Sequence, residues 1–153
     1  MRPARWRCSA AAAAVLASVL GAGCATTTSV VDASPDAAPS LFHVAADKAG
    51  LYIIRSERVG GAIPIDVLID GQRLGATVAR SYLYAVVKPG VHTVDSLGDI
   101  RNTLQVEVKP GTITYLSQGV ELAYLSSPRT RLRPVSDAQG REWVMELKPA
   151  PLR

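Results

Sequence analysis

The sequence predicts an all-β protein: a small antiparallel β-sandwich of about seven or eight strands, with one short C-terminal helix. Three observations carry this. Short runs of β-branched and aromatic residues recur from residue 51 onward, several of them alternating apolar with polar. Turn signals built on Gly and Pro separate the runs, and the tetrapeptide Val-Lys-Pro-Gly appears twice, at 87–90 and 108–111. Residues 46–153, 108 in number, form one domain by size, large enough for a modest core.

Leu51-Tyr-Ile-Ile-Arg55 is the first run, dense in strand formers. Ile65, Val67 and Ile69 alternate with Asp66, Leu68 and Asp70. Asp70-Gly71 then supplies a two-residue turn, because glycine accepts the positive φ such a hairpin needs. Tyr82–Val87 and Val91–Asp95 flank Lys88-Pro-Gly90. Leu104, Val106 and Val108 alternate with Thr103, Gln105 and Glu107, and Ile113–Val120 follows. Proline presets φ at the second position of each Val-Lys-Pro-Gly turn and glycine takes the positive φ of the third. Each turn is expected to close a hairpin. If every connection reverses direction, Asp70-Gly71 and both Val-Lys-Pro-Gly turns fall at one end of the sheet. The loops Gly75–Arg80 and Leu97–Asn102 then lie at the other. Arg129–Val135 is expected to be an edge strand, since Pro134 argues against a central one. Ser136 is a cap for a short helix over Asp137–Leu147, which Gly140 weakens.

The first 23 residues have another character. Arg2, Arg5 and Arg7 precede an apolar run of 11 residues, Ala10–Leu20, broken only by Ser18. A membrane-spanning helix needs about 20 apolar residues. A basic start, a short apolar stretch and a small-residue exit describe a secretory signal instead. Here the small residues run into Cys24: Leu20-Gly-Ala-Gly-Cys24. That stretch resembles the lipobox of bacterial lipoproteins, with Gly21 where leucine is usual. The resemblance implies that residues 1–23 are removed and that Cys24 carries the lipid. With two or more acyl chains, attachment to the membrane is stable. Ala25, in place of an aspartate, implies the outer membrane rather than the inner. The alternative is a plain signal cut near Ala22, leaving a free thiol.

Without residues 1–23, three of the 17 basic residues go and none of the 13 acidic ones, so the net charge falls from +4 to +1. The basic excess that marks a nucleic-acid binder is absent. Residues 24–45 are rich in Thr, Ser, Ala, Asp and Pro and hold no sustained period, so they are expected to be a flexible tether. Leu41-Phe-His-Val44 is apolar enough to dock on the domain as a short extra strand.

Four segments carry a further likeness: Leu51-Tyr-Ile-Ile-Arg55, Ile69-Asp-Gly-Gln-Arg-Leu-Gly75, Lys88-Pro-Gly-Val-His92 and Gly111-Thr-Ile-Thr-Tyr115. Together they resemble the bacterial lipoprotein family called domain of unknown function 2846. The elements Asp-Gly-x-x-Leu-Gly and Pro-Gly-x-His are also similar to PEGA domains, surface β modules of bacterial envelopes. The resemblance covers about residues 45–122 and brings no activity with it.

His92, Asp95 and Ser96 have the residue types of a hydrolase triad, but on a strand His92 and Asp95 face opposite ways. His92 is expected instead to hydrogen-bond the adjacent turn. Glu57, Asp95 and Asp99 could hold a calcium ion only weakly, no Cys or His pair sits at metal-ligand spacing, and no cofactor motif is present. Arg129, Arg131 and Arg133 share one strand face. They are either guard charges on an edge strand or a contact for lipid headgroups, lipopolysaccharide phosphates or peptidoglycan acids. Of Tyr52, Tyr82, Tyr84, Tyr115 and Tyr124, some must fill the core, and Tyr82 and Tyr84 share a face that could stack a sugar. The expectation is an envelope lipoprotein, held at the membrane through Cys24, whose sandwich is a non-catalytic binding or structural module. Its partner would be an envelope protein, peptidoglycan or lipopolysaccharide. The alternative is a glycan- or small-ligand-binding periplasmic domain.

Overall fold

The computed structural model describes residues 42–58, 61, 63–123 and 126–151. The signal 1–23, Cys24, the tether up to residue 41 and Tyr124 lie outside the described residues. Nine strands and one helix follow in order among those described: β1 (Ala49–Arg55), β2 (Ile65–Ile69), β3 (Gln72–Thr77), β4 (Ser81–Val87), β5 (Gly90–Leu97), β6 (Arg101–Val108), β7 (Ile113–Ala123), β8 (Ser126–Val135), α1 (Asp137–Glu146) and β9 (Lys148–Pro149).

The strands form two sheets, ordered β8-β7-β1-β4-β9 and β3-β2-β5-β6. Pairing is antiparallel except between β1 and β7 and between β4 and β9. The inner faces meet across Leu51, Ile53, Val87 and Leu116 of the first sheet and Val67, Ile69, Val94 and Val108 of the second. This is an all-β sandwich with one short C-terminal helix. β1 is buried along its whole length. Leu51 and Ile53 face the core, while Tyr52 and Ile54 face a second cluster under α1. A strand buried on both faces reads as a continuous apolar run, as this one does. β2, in contrast, alternates buried and half-buried positions.

Asp70 (φ 50°) and Gly71 (φ 79°) make the primed turn that joins β2 to β3 as a hairpin. β5–β6 and β7–β8 are hairpins too. The two Val-Lys-Pro-Gly turns are not. Each carries the chain across from one sheet to the other, β4 to β5 and β6 to β7. The reason is that β4 already has β1 and β9 at its edges, and β5 has β2 and β6. The turns do share one end of the sandwich with Asp70-Gly71. The Gly111 N–H donates to Lys48 O at the start of β1, and the Asp70 N–H donates to Thr93 O. The loops at the other end are shorter than expected. Gly75–Thr77 belong to β3, which leaves only 78–80, and only 98–100 separate β5 from β6.

Leu41–Val44 adds no strand over its described residues. Phe42 instead packs a single ring against the cluster under α1. Ser136 caps α1 as expected, its hydroxyl accepting from the Gln139 N–H at 3.3 Å. β8 is an edge strand. Its Leu132 N–H points away from β7 to the Asn102 Oδ1 at 2.8 Å. Pro134, two residues on, shares that outward orientation, so its missing N–H removes no ladder bond.

Gly90 sits at φ +143°, and a Cβ built there meets nothing within 4 Å. Any cost of a side chain at this corner is therefore backbone strain. Gly90→Val should lower stability by about 1–3 kcal/mol, with the urea midpoint shifted and the slope unchanged. An unshifted midpoint would show that the corner relaxes freely.

Candidate functional site

The outer face of the five-stranded sheet carries two features in line. At its centre are four tyrosines. Opposed residues of paired strands lie on one face, and the register sets Tyr52 opposite Tyr84 and Tyr115. The Tyr52 ring stacks on Tyr115 at 5.4 Å between centroids, with 8° between planes. It meets Tyr84 at 4.5 Å and Tyr82 edge-on at 5.5 Å. Val144 and Leu147 at the end of α1 and Phe42 pack on the same cluster. Arg141 of α1 lies over the Phe42 ring at 4.8 Å and is held by Asp137 at 2.7 Å. Burial and then the neighbouring tyrosines push the Tyr52 hydroxyl far above its ordinary range, and burial pushes Tyr82, Tyr84 and Tyr115 up as well. Tyr82 and Tyr84 do share a face, as expected, but both rings pack against Tyr52 and are half-buried.

Beyond the tyrosines the same face continues onto β8. Arg129, Arg131 and Arg133 stand opposite Glu121, Gly119 and Ser117, with Thr130 and Leu132 turned into the core between them. All three arginines are exposed. Arg131 approaches Glu121 only at 4.0 Å. Arg129 and Arg131 also line an open cleft of about 180 Å³ between β8 and the start of β6, with Ile100, Arg101, Asn102, Glu121 and Thr130. Arg133 lies outside that cleft.

His92, Asp95 and Ser96 are not assembled into a triad. His92 is buried, its Nδ1 2.6 Å from Asp70 Oδ2 and its Nε2 2.7 Å from Lys88 O. It ties the β2–β3 turn to the first Val-Lys-Pro-Gly corner. Asp95 faces the other way, accepting from the Thr103 hydroxyl. Ser96 belongs to a buried polar relay between the sheets. The Thr77 hydroxyl donates to the Gln118 side-chain oxygen, and Gln118 Nε2 donates to Ser96 Oγ at 2.7 Å. Glu57 accepts from the Val120 N–H at 3.2 Å. Among the described residues no three His, Cys, Asp or Glu side chains gather where a metal ion could be held.

The local pattern marks Arg129, Arg131 and Arg133 but not Arg101 or Asn102. Nothing in the sequence around 101 points to residues 129–131, because the two segments meet only through the stacking of sheet edges. What fold and site define together is a β-sandwich module with an arginine-bearing edge. No family model matches the chain, and no solved structure matches it. It is similar to an uncharacterized protein of Haemophilus influenzae, 24% identical over 103 residues. Those residues are 67% of this chain and span 61% of that protein's length.

Proposed function

We propose that this is a bacterial envelope lipoprotein of the kind the domain of unknown function 2846 describes, whose sandwich binds at the membrane surface without catalysing a reaction. In this reading Cys24 carries the lipid, and the arginine-bearing face of the first sheet meets an anionic envelope component. One observation supports it most. Phe42, where the tether meets the domain, packs on the same outer sheet face that carries Arg129, Arg131 and Arg133. Phe42 follows Cys24 by only 18 positions in the chain. An anchor attached there favours turning this face, rather than the opposite sheet, towards the bilayer. Juxtamembrane arginines contribute on the order of 1 kcal/mol each near an anionic surface, and they cost the fold little because exposed charges stabilise it weakly.

The test is acylation. Cells fed a labelled fatty acid should yield labelled protein that partitions into detergent with membranes. The Cys24→Ser protein should carry no label and leave the membrane fraction. Unlabelled wild-type protein would overturn the lipoprotein reading.

A further inference from the structure

We propose that the cleft between β6 and β8 is a binding site for a phosphate group, borne by a lipid headgroup or by a small soluble phosphate. The proposal rests on the anionic-contact reading above and narrows it from an exposed face to a built site. Three arginines line the cleft, Arg101 from one sheet and Arg129 and Arg131 from the other, with Glu121 in the lining and Asp95 beside Arg101. The nearest carboxylates leave them uncommitted. Glu121 is 4.0 Å from Arg131, Asp95 is 4.0 Å from Arg101, and Arg129 makes no ion pair among the described residues. Bidentate arginine–carboxylate pairs are closer, at about 2.7–2.9 Å.

Neutral donors are present as well. The Asn102 Oδ1 is occupied by the Leu132 N–H at 2.8 Å, which leaves its NH₂ to donate. A phosphate monoester brings about −1.5 to −2 of charge and three acceptor oxygens. Even with Glu121 and Asp95 counted the cluster keeps a positive excess, and guanidinium forks suit phosphate oxygens in geometry. A carboxylate offers two acceptor oxygens to the three arginines, one fewer than a phosphate monoester. Ile100, 61% exposed at the rim, offers apolar surface beside the charge. The two sheets contribute unlike parts, so the site exists only where the edges of the sandwich meet.

The test uses the full chain with Cys24→Ser, so that no acyl anchor masks binding. Inorganic phosphate is titrated first, with amide shifts read at the Asn102 side chain and at Thr130 and Leu132. Phosphatidylcholine vesicles with and without phosphatidic acid form the second arm. Shifts should saturate, and Arg101→Gln or Arg129→Gln should weaken binding about tenfold or more, the worth of one charge-assisted bond. Arg133→Gln, outside the cleft, should change the affinity for inorganic phosphate less than twofold. Binding to the acidic vesicles that free phosphate displaces identifies a lipid source, and phosphate binding without vesicle binding identifies a soluble one. Both outcomes support the site. If Arg101→Gln and Arg133→Gln weaken vesicle binding equally, the cleft is overturned and the broad arginine face stands. If neither phosphate nor acidic vesicles bind at all, cleft and face both fall, while Cys24 labelling still decides the lipoprotein reading.

Discussion

Gly140→Ala should destabilise the protein by about 2 kcal/mol, although helix propensity alone predicts a gain of about 1 kcal/mol. The two effects have opposite signs, and distance decides between them. A Cβ at residue 140 would lie 2.2 Å from Tyr115 Cγ, 2.4 Å from Cδ1 and 2.6 Å from Cβ. Carbon atoms pack at about 3.5–4.0 Å, so more than an ångström of movement is needed. The Tyr115 ring cannot supply it, being 1% exposed and stacked on Tyr52. α1 must therefore lift, unpacking Val144 and Leu147 from the cluster. Overpacking of this kind costs about 1–3 kcal/mol, and the loss of helix contacts adds to it. The melting temperature should fall by roughly 10 °C for a domain of this size. On a Tyr115→Ala background, which removes the ring, the same change should cost far less, a coupling between neighbours that a double-mutant cycle measures. A melting temperature that rises with Gly140→Ala would mean that propensity, not contact, governs this helix.

Gly140 shows what the sequence could and could not make visible. Read locally, it is a weak point in a short helix. In three dimensions it is where the helix touches the sheet. The same division runs through the fold. The Asp70-Gly71 hairpin was legible because its requirement, positive φ at both positions, is met by the two residues themselves. The Lys-Pro-Gly corners were legible as turns and in their placement at one end. Their crossing between sheets was not, because a turn fixes a reversal and not the partner of the strand that follows. β3 was legible only as the return arm of the Asp70-Gly71 hairpin and not by its own pattern, because it opens on Gln72 and Arg73, both exposed, and buries little before Leu74. The alternation of arginines on β8 was legible by parity. The cleft was not, since Arg101 reaches it from the other sheet. Tyr82 and Tyr84 shared a face as period two requires, but whether that face lay open depended on α1 and Phe42, neither of them a neighbour in sequence.

Replacing His92 with leucine should cost about 3 kcal/mol, and the pattern of costs at its partner Asp70 distinguishes a latch from mere packing. Both atoms that His92 addresses are acceptors, a carboxylate oxygen at 2.6 Å and a backbone carbonyl at 2.7 Å. The ring meets both only when each nitrogen carries a proton. Asp70 Oδ1 also accepts from the Thr93 N–H at 2.9 Å, and Asp70 holds φ at 50°. Leucine fills the volume of the ring but leaves the carbonyl and the carboxylate without it, and charge-assisted bonds contribute about 1.5–3 kcal/mol. Asp70→Ala removes the side-chain bonds to His92 and Thr93, and with them the local polar contact that lets Asp or Asn offset the cost of the left-handed region. It should be the worst of the series, at about 4 kcal/mol. Asp70→Asn should cost about 1 kcal/mol or less, because asparagine tolerates that φ and its oxygen still accepts from Thr93. Its NH₂ then donates to Nδ1 while the Nε2 proton alone serves Lys88, so the ring needs one proton instead of two. Urea midpoints of the three variants give the order directly. If Asp70→Asn costs as much as Asp70→Ala, the carboxylate charge and not the hydrogen-bond pattern holds the latch. If His92→Leu costs under about 1 kcal/mol, the ring is only filling space, because a latch that joins a hairpin turn to an inter-sheet corner cannot be lost so cheaply.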